Sequence, residues 1–234
     1  MATRSQVLTP PAYEPAEPLG VVAGSGALPR RVIAARRQAG LPVFVIALEG
    51  YAAPETVADV PHRWCRISAV GEAMLALHEQ GVEQLVLAGG IDKRPLLRDL
   101  YPDATGRRLL RALGGRLLAG DDRLLRRITA FLGEHGFRVV APEAVCAGLL
   151  ADDGVMTMAQ PDEEMQRDRA LGVSVLRALG AYDIGQSIVV YAEHIVGIEA
   201  MEGTASLIER CRALKPGPGG VLVKMPKSHQ CAEV

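Results

Sequence analysis

The 234-residue chain is 49 % hydrophobic but only 4 % aromatic, so its core is built mainly from Ala, Leu and Val, enough for one sizeable domain or two small ones. A formal charge of −1 offers no basic field for nucleic acid, and no apolar run approaches the length of a membrane span. Cys65, Cys146, Cys211 and Cys231 lack C-x-x-C spacing, which argues against a zinc knuckle, a redox pair or a compact disulfide framework and fits a reducing cytoplasm.

Residues 1–18 hold Pro10, Pro11, Pro15 and Pro18 but no hydrophobic signal-peptide core, so they read as a disordered tail, with the fold beginning near Leu19. The stretch Gly20 to Pro29, G-V-V-A-G-S-G-A-L-P, then runs from a short apolar strand through a glycine turn into a proline that opens a helix. Gly24 and Gly26 permit tight turning, and the N–H groups exposed there attract phosphate, although turns of this kind also occur where nothing binds. Leu28, Val32 and Ala35 share one helical face, Gly40 supplies a stop, and Val43 to Leu48 resumes as a buried strand, completing a β-α-β unit. Glu49 stands where the ribose-binding acid of a Rossmann site would, but Pro29 replaces that fingerprint's third small residue, which weakens a nicotinamide reading.

A strand near Arg63 to Ile67, a helix from about Glu72 to Gln80 and a strand Gln84 to Ala88 continue the alternation. Together they predict a Rossmann-like, doubly wound parallel sheet. Gly89 and Gly90 follow the last of these strands at the carboxyl edge, where open α/β sheets bind ligands, with Lys93 close behind; the other reading is a glycine helix cap. A helical stretch through Leu109, Leu110, Leu113 and Leu117 leads to Asp121 and Asp122, which either cap the next helix or contact a metal or the substrate. Phe137 to Ala141 ends this sheet. The first domain therefore spans residues 19–146 and a linker residues 147–160.

A smaller α/β domain is expected over residues 161–234. It comprises a helix from Glu163 to Leu179, strands Ser187 to Tyr191 and Ile195 to Glu199, a helix from Thr204 to Arg212 and a strand Val221 to Met225. Asp183-Ile-Gly-Gln186 precedes its first strand, and Glu199-Ala-Met-Glu-Gly-Thr204 joins its second strand to a helix. These acids either hold a divalent cation such as magnesium or serve as caps and hairpin ends. Lys224 and Lys227 flank Pro226 as candidate point charges for a diphosphate. No H-x-x-x-H, H-x-H or G-x-S-x-G pattern is present, so metalloprotease and α/β-hydrolase readings lack support.

Six of these segments occur together and in order from about Leu19 to Lys227: G-V-V-A-G-S-G-A-L-P, A-G-G-I-D-K-R-P, G-D-D-R-L-L-R-R, D-I-G-Q, E-A-M-E-G-T and V-K-M-P-K. In this the chain resembles the LpxI-type UDP-2,3-diacylglucosamine pyrophosphatases. The resemblance implies hydrolysis of UDP-2,3-diacylglucosamine to UMP and 2,3-diacylglucosamine 1-phosphate, a magnesium-assisted, cytoplasmic step of lipid A biosynthesis in Gram-negative bacteria. It implies two domains with substrate in the cleft between them. Gly24, Ser25, Gly26, Leu28 and Pro29 would cradle the UDP portion, with Gly89, Gly90 and Lys93 opposite. Asp183, Gln186, Glu199, Glu202, Gly203 and Thr204 would line the second domain's side. An amphiphilic substrate and no anchor imply peripheral contact with the inner membrane, and closed two-fold symmetry makes a homodimer the expected assembly.

The chain also departs from the family pattern. The family's E-G-T-D stands here as E-G-T-A, with Ala205 lacking the carboxylate, and S-H-Q-C-A-E-V stands in place of the segment ending in D-L-P-x-x-G whose aspartate is associated with catalysis. Those features predict an incomplete second domain, from an altered frame or early stop, and impaired turnover. Two other readings stay open: an inactive UDP-sugar or lipid-binding module, and a nicotinamide oxidoreductase resting on Glu49 and the glycine turn.

Overall fold

The structure, a computed structural model, describes residues 13–91, 101–113, 121–180, 182 and 184–226, and of residues 121–123 the main chain only. The chain divides into two compact units between Ala151 and Asp152.

The first unit opens β1 (Leu19–Ala23), α1 (Leu28–Gln38), β2 (Val43–Leu48), α2 (Pro54–Val57), β3 (His62–Cys65) and α3 (Val70–Glu79). It continues β4 (Gln84–Ala88), α4 (Ala104–Leu113), α5 (Asp121–Glu134), β5 (Arg138–Val139) and α6 (Pro142–Val145). The strands form one parallel sheet in the order β3-β2-β1-β4-β5. β1 is continuously apolar because helices cover both faces of the sheet. On one face Val21, Ala23, Val45 and Val86 pack with Val32 and Ile33 of α1 and Val57 of α2. On the other, Ile46 and Leu85 pack with Met74 and Leu77 of α3 and Phe131 and Leu132 of α5. Each of the larger of these side chains, once buried, contributes roughly 1.5–3 kcal/mol relative to exposure.

β2 and β4 have the predicted bounds, whereas β3 starts one residue before the expected Arg63 and ends at Cys65, and β5 is two residues rather than the predicted five. The expected helix past Leu113 lies outside the described residues at Leu117. Tyr13 to Pro18 also correct the sequence reading, which assigned them to a disordered tail. The guanidinium of Arg36, 1 % exposed on α1, donates to the carbonyls of Pro15, Glu17 and Pro42 at 2.7–2.8 Å and to the Tyr13 hydroxyl. Gln84 exchanges two hydrogen bonds with the main chain of Glu14, and Glu17 pairs with Arg138. A proline-rich stretch with no periodicity is thereby fastened by long-range contacts that composition alone does not reveal.

The second unit holds α7 (Glu163–Gly180), β6 (Ser187–Tyr191), β7 (His194–Ile198), α8 (Gly203–Leu214) and β8 (Val221–Lys224). Its strands form an antiparallel sheet in the order β7-β6-β8. Alternation sorts the residues: Ile188, Val190 and Val223 pack with Leu176 of α7, while Gly197 lies against Leu207 and Cys211 of α8. The β6–β7 turn puts Ala192 and Glu193 at φ +48° and +60°, and the buried Asp168 carboxylate holds it by accepting both of their N–H groups, at 3.1 and 2.7 Å.

Candidate functional site

In the first unit the chain builds β1, β2 and β3 outward in one direction and then returns to place β4 on the other side of β1. The strand order reverses between β1 and β4, and such a switch point is where open α/β sheets receive ligands beyond the carboxyl ends of their strands. The turns leaving these two strands are Gly24-Ser25-Gly26 and Gly89-Gly90, and they are bonded to each other. Ser25 N–H donates to Gly90 O at 2.9 Å, Gly90 N–H to Ser25 O at 3.0 Å, and the Ser25 hydroxyl to Gly90 O at 3.0 Å. A Cβ on Gly24 would stand 2.4 Å from Gly90 O, and one on Gly89, at φ +89°, 2.4 Å from Ser25 O and 3.0 Å from Pro29. Glycine is required at both positions because the two backbones touch.

This lacing shifts the expected anion donors. The N–H of Gly24 goes to Ala88 O and that of Ser25 to Gly90 O, so neither turns outward. Among the described residues no hydrogen bond engages the N–H of Gly26, Ala27 or Leu28, where α1 begins with Pro29 in its first turn and no side-chain cap at Ala27. The first amides of a helix have no intrahelical partner. α3 starts differently, because Asp103 accepts from Gly71 and Glu72 at 2.7 and 3.1 Å and, with its other oxygen, from Gly106 at 2.6 Å. α3 is thus already capped, and α1 is left open toward an anion.

The second unit gathers the other predicted residues through side chains. Glu199 accepts from the Gln186 N–H at 3.3 Å and, through its other oxygen, from the Thr204 hydroxyl at 3.2 Å. The Lys224 ammonium donates to Thr204 Oγ1 at 3.2 Å, and Ser187 Oγ lies 3.2 Å from the same atom. Glu202 accepts from Ala200 N–H at 2.9 Å and from Arg210 at 2.7 Å, and this guanidinium hydrogen bond, followed by the main-chain ones, holds its carboxyl below the usual range. Gly203 begins α8 at φ +81°.

Lys93, Asp183 and Lys227, and the side chains of Asp121 and Asp122, lie outside the described residues. Ser187 and Arg210 were not singled out as site residues by the sequence. Ser187 reads as the first residue of an apolar strand, and Arg210 stands two helical turns beyond the glutamate it holds. Among the described residues no group of three or more His, Cys, Asp or Glu side chains stands close enough to share a metal ion, and Glu199 and Glu202 already use their oxygens internally. These residues do not fit a magnesium site built from protein ligands.

A groove of about 380 Å³ lies elsewhere, at the amino ends of the strands beside Pro18, Val43 and Phe44, with the exposed Arg37–Asp59 pair at its rim. It contains no convergent polar set comparable to either cluster. No helix among the described residues is long and apolar enough to cross a membrane.

Comparison with known proteins agrees with the motif series. The LpxI N-terminal domain family matches residues 18–149, and the LpxI C-terminal domain family matches residues 152–234. UDP-2,3-diacylglucosamine pyrophosphatase LpxI of Caulobacter vibrioides is 31 % identical over 219 residues, which cover 91 % of this chain and 78 % of that protein. Among solved structures, carboxyaminoimidazole ribonucleotide synthase from asperigillus clavatus complexed with ATP is 11 % identical, over 91 % of this chain and 48 % of that one, with a TM-score of 0.28, too low to carry an argument. With both halves matched in order, the chain belongs to the LpxI family.

Proposed function

We propose that this chain hydrolyses UDP-2,3-diacylglucosamine, releasing UMP and 2,3-diacylglucosamine 1-phosphate. The observation that carries the reading is the 31 % identity, over 91 % of the chain, to a protein named as that pyrophosphatase. Water adds to one phosphorus of the diphosphate as the bridging P–O bond breaks; the water oxygen stays on the phosphate attacked, the bridging oxygen leaves with the other phosphate, and the water protons are divided between the two products. Within the first unit, the open amides at Gly26, Ala27 and Leu28 are the donors for a phosphate of the substrate. The Ser25 hydroxyl is engaged by Gly90 and acts as a turn residue rather than a nucleophile.

Magnesium belongs to the same proposal, since this ion commonly binds through substrate phosphates and water with few protein ligands. So do a cytoplasmic location, peripheral contact with the inner membrane and assembly as a homodimer. The test is incubation with UDP-2,3-diacylglucosamine, with and without a chelator, followed by chromatography. Equal amounts of UMP and phosphorylated lipid, lost on chelation and restored by magnesium, are expected. UDP affinity retained in calorimetry without any UMP release would replace hydrolysis by a binding role.

A further inference from the structure

α7 carries Asp168, Gly172 and Leu176 one helical turn apart, all buried. Leu176 and Gly172 meet apolar strand residues, Gly172 so closely that a Cβ there would stand 2.6 Å from Val223 and 3.2 Å from Ile188. Asp168, 2 % exposed, is the charged residue of this stripe, and a buried carboxylate is costly unless it is hydrogen-bonded. The amides that satisfy it belong to Ala192 and Glu193, the central residues of the β6–β7 turn.

That turn is tight for its residue types. Tyr191 pairs with His194, so Ala192 and Glu193 alone form the loop, both at positive φ. Loops of this kind are ordinarily Asn-Gly or Asp-Gly, because most L-residues are strained in the left-handed conformation. Just beyond it the ladder is irregular: Val190 faces Ile195 but Val189 faces Gly197, which leaves Val196 as the extra residue of a β-bulge in β7.

The sequence accommodates a second pairing. A three-residue loop, from Ala192 to His194, would put Ile195 opposite Tyr191 and Val196 opposite Val190, and the ladder would then run without a bulge into the existing pair of Val189 and Gly197. Such loops are the next commonest hairpin connection. Ile195 and Val196 are both apolar, so the alternation that ordinarily fixes register distinguishes the two pairings poorly. The observed pairing is marked instead by the two hydrogen bonds that draw Ala192 and Glu193 onto Asp168.

We propose that Asp168 selects the bulged register of the β6–β7 hairpin, and that the bulge guards β7 against strand addition by a second copy of this chain. Among the described residues β7 pairs with β6 alone and is therefore an edge strand. Edge strands invite pairing with another chain, and a bulge twists the edge away from a straight partner. Ile195, 43 % exposed, adds an apolar side chain to that edge, which a regular ladder would present unguarded.

The test is nuclear magnetic resonance on the full chain, reading cross-strand proton contacts, together with sedimentation velocity. Wild type is expected to show contacts between Tyr191 and His194 and between Val190 and Ile195. Asp168→Ala is expected to replace them by contacts of Tyr191 with Ile195 and of Val190 with Val196, to keep that of Val189 with Gly197, and to sediment as larger species than wild type at equal concentration. Adding Ala192→Asn and Glu193→Gly, which favour the two-residue loop without help from α7, should restore both the wild-type contacts and the wild-type sedimentation. Unchanged contacts in Asp168→Ala would assign the register to the packing of Gly197 on α8 and overturn the proposal. Loss of the contact between Val189 and Gly197 along with the others would make Asp168 a general support of the sheet, which also overturns it. A switched register with wild-type sedimentation removes the guarding role. If Asp168→Ala does not fold, the triple variant decides: recovery of the fold with wild-type contacts supports selection through the turn, and failure to recover overturns it.

Discussion

The turn pair at the switch point and the loop cluster of the second unit solve the same problem with different materials. Gly24, Ser25, Gly89 and Gly90 are joined by backbone contacts alone, apart from one serine hydroxyl. Gln186, Ser187, Glu199, Thr204 and Lys224 are joined by main-chain strand pairing and, in addition, by a set of side-chain hydrogen bonds. The first arrangement carries no titratable group and leaves no room for an added atom; the second depends in addition on hydroxyl, carboxylate and ammonium chemistry.

The largest expected effect breaks the backbone-built region. Gly89→Ala forces a Cβ into Ser25 O at a φ of +89°, and strain together with overpacking is expected to cost about 3 kcal/mol. In a thermal melt this should appear as a fall of roughly 10 °C, with UDP binding lost in calorimetry. An unchanged melt would show that the two turns separate easily.

Alkali should act next, and on the first unit. Burial, reinforced by the nearby Glu72 and Glu49 charges against the opposing Arg63, pushes the Cys65 thiol from 9.0 up to about 11. Because the folded-state value lies above the unfolded one, the neutral thiol stabilises the fold below pH 9.0, and that contribution is lost as the pH climbs to about 11. Denaturant titrations of wild type and Cys65→Ala across this range should show a steeper alkaline decline for wild type.

Thr204→Val tests the side-chain cluster. It leaves the fully buried Ser187 hydroxyl without its side-chain neighbour and frees Lys224 from its anchor, so about 1 kcal/mol of stability should be lost, together with a rise in KM for the diphosphate substrate. A loss of stability with KM unmoved would make the cluster purely structural.

The smallest effect is acid sensitivity of the β7–α8 loop. The carboxyl of Glu202 is held below its ordinary value of 4.5, so its bracing is present above that pH and fades as the pH falls through the lower folded-state value. Amide exchange of Ala200 should rise in acid and, because the Arg210 partner is exposed, rise further at high salt. An Ala200 amide indifferent to pH would remove Glu202 from the bracing.

The apolar segments of β2, β4 and β6 were legible to the residue, because a buried strand between turn residues leaves a strong local pattern. The four-residue helices α2 and α6 were not, since one turn has no periodicity to read. The same limit applies to partners. Glu199 and Thr204 were recognisable as members of one motif, but neither that motif nor the segment around Ser187 reveals that Thr204 sits within 3.2 Å of both the Ser187 hydroxyl and the Lys224 ammonium.

By itself the sequence determined the α/β alternation, the family and the two glycine turns, all properties carried by residues close together along the chain. Tertiary structure alone decided that Gly24 and Ser25 turn their amides toward the neighbouring strand while α1 keeps its own open, and that Arg36 fastens Tyr13 to Pro18. The physical reason is that a hydrogen bond between distant segments depends on strand order and register. Neither leaves a trace in local composition, though each determines which polar groups remain for a ligand.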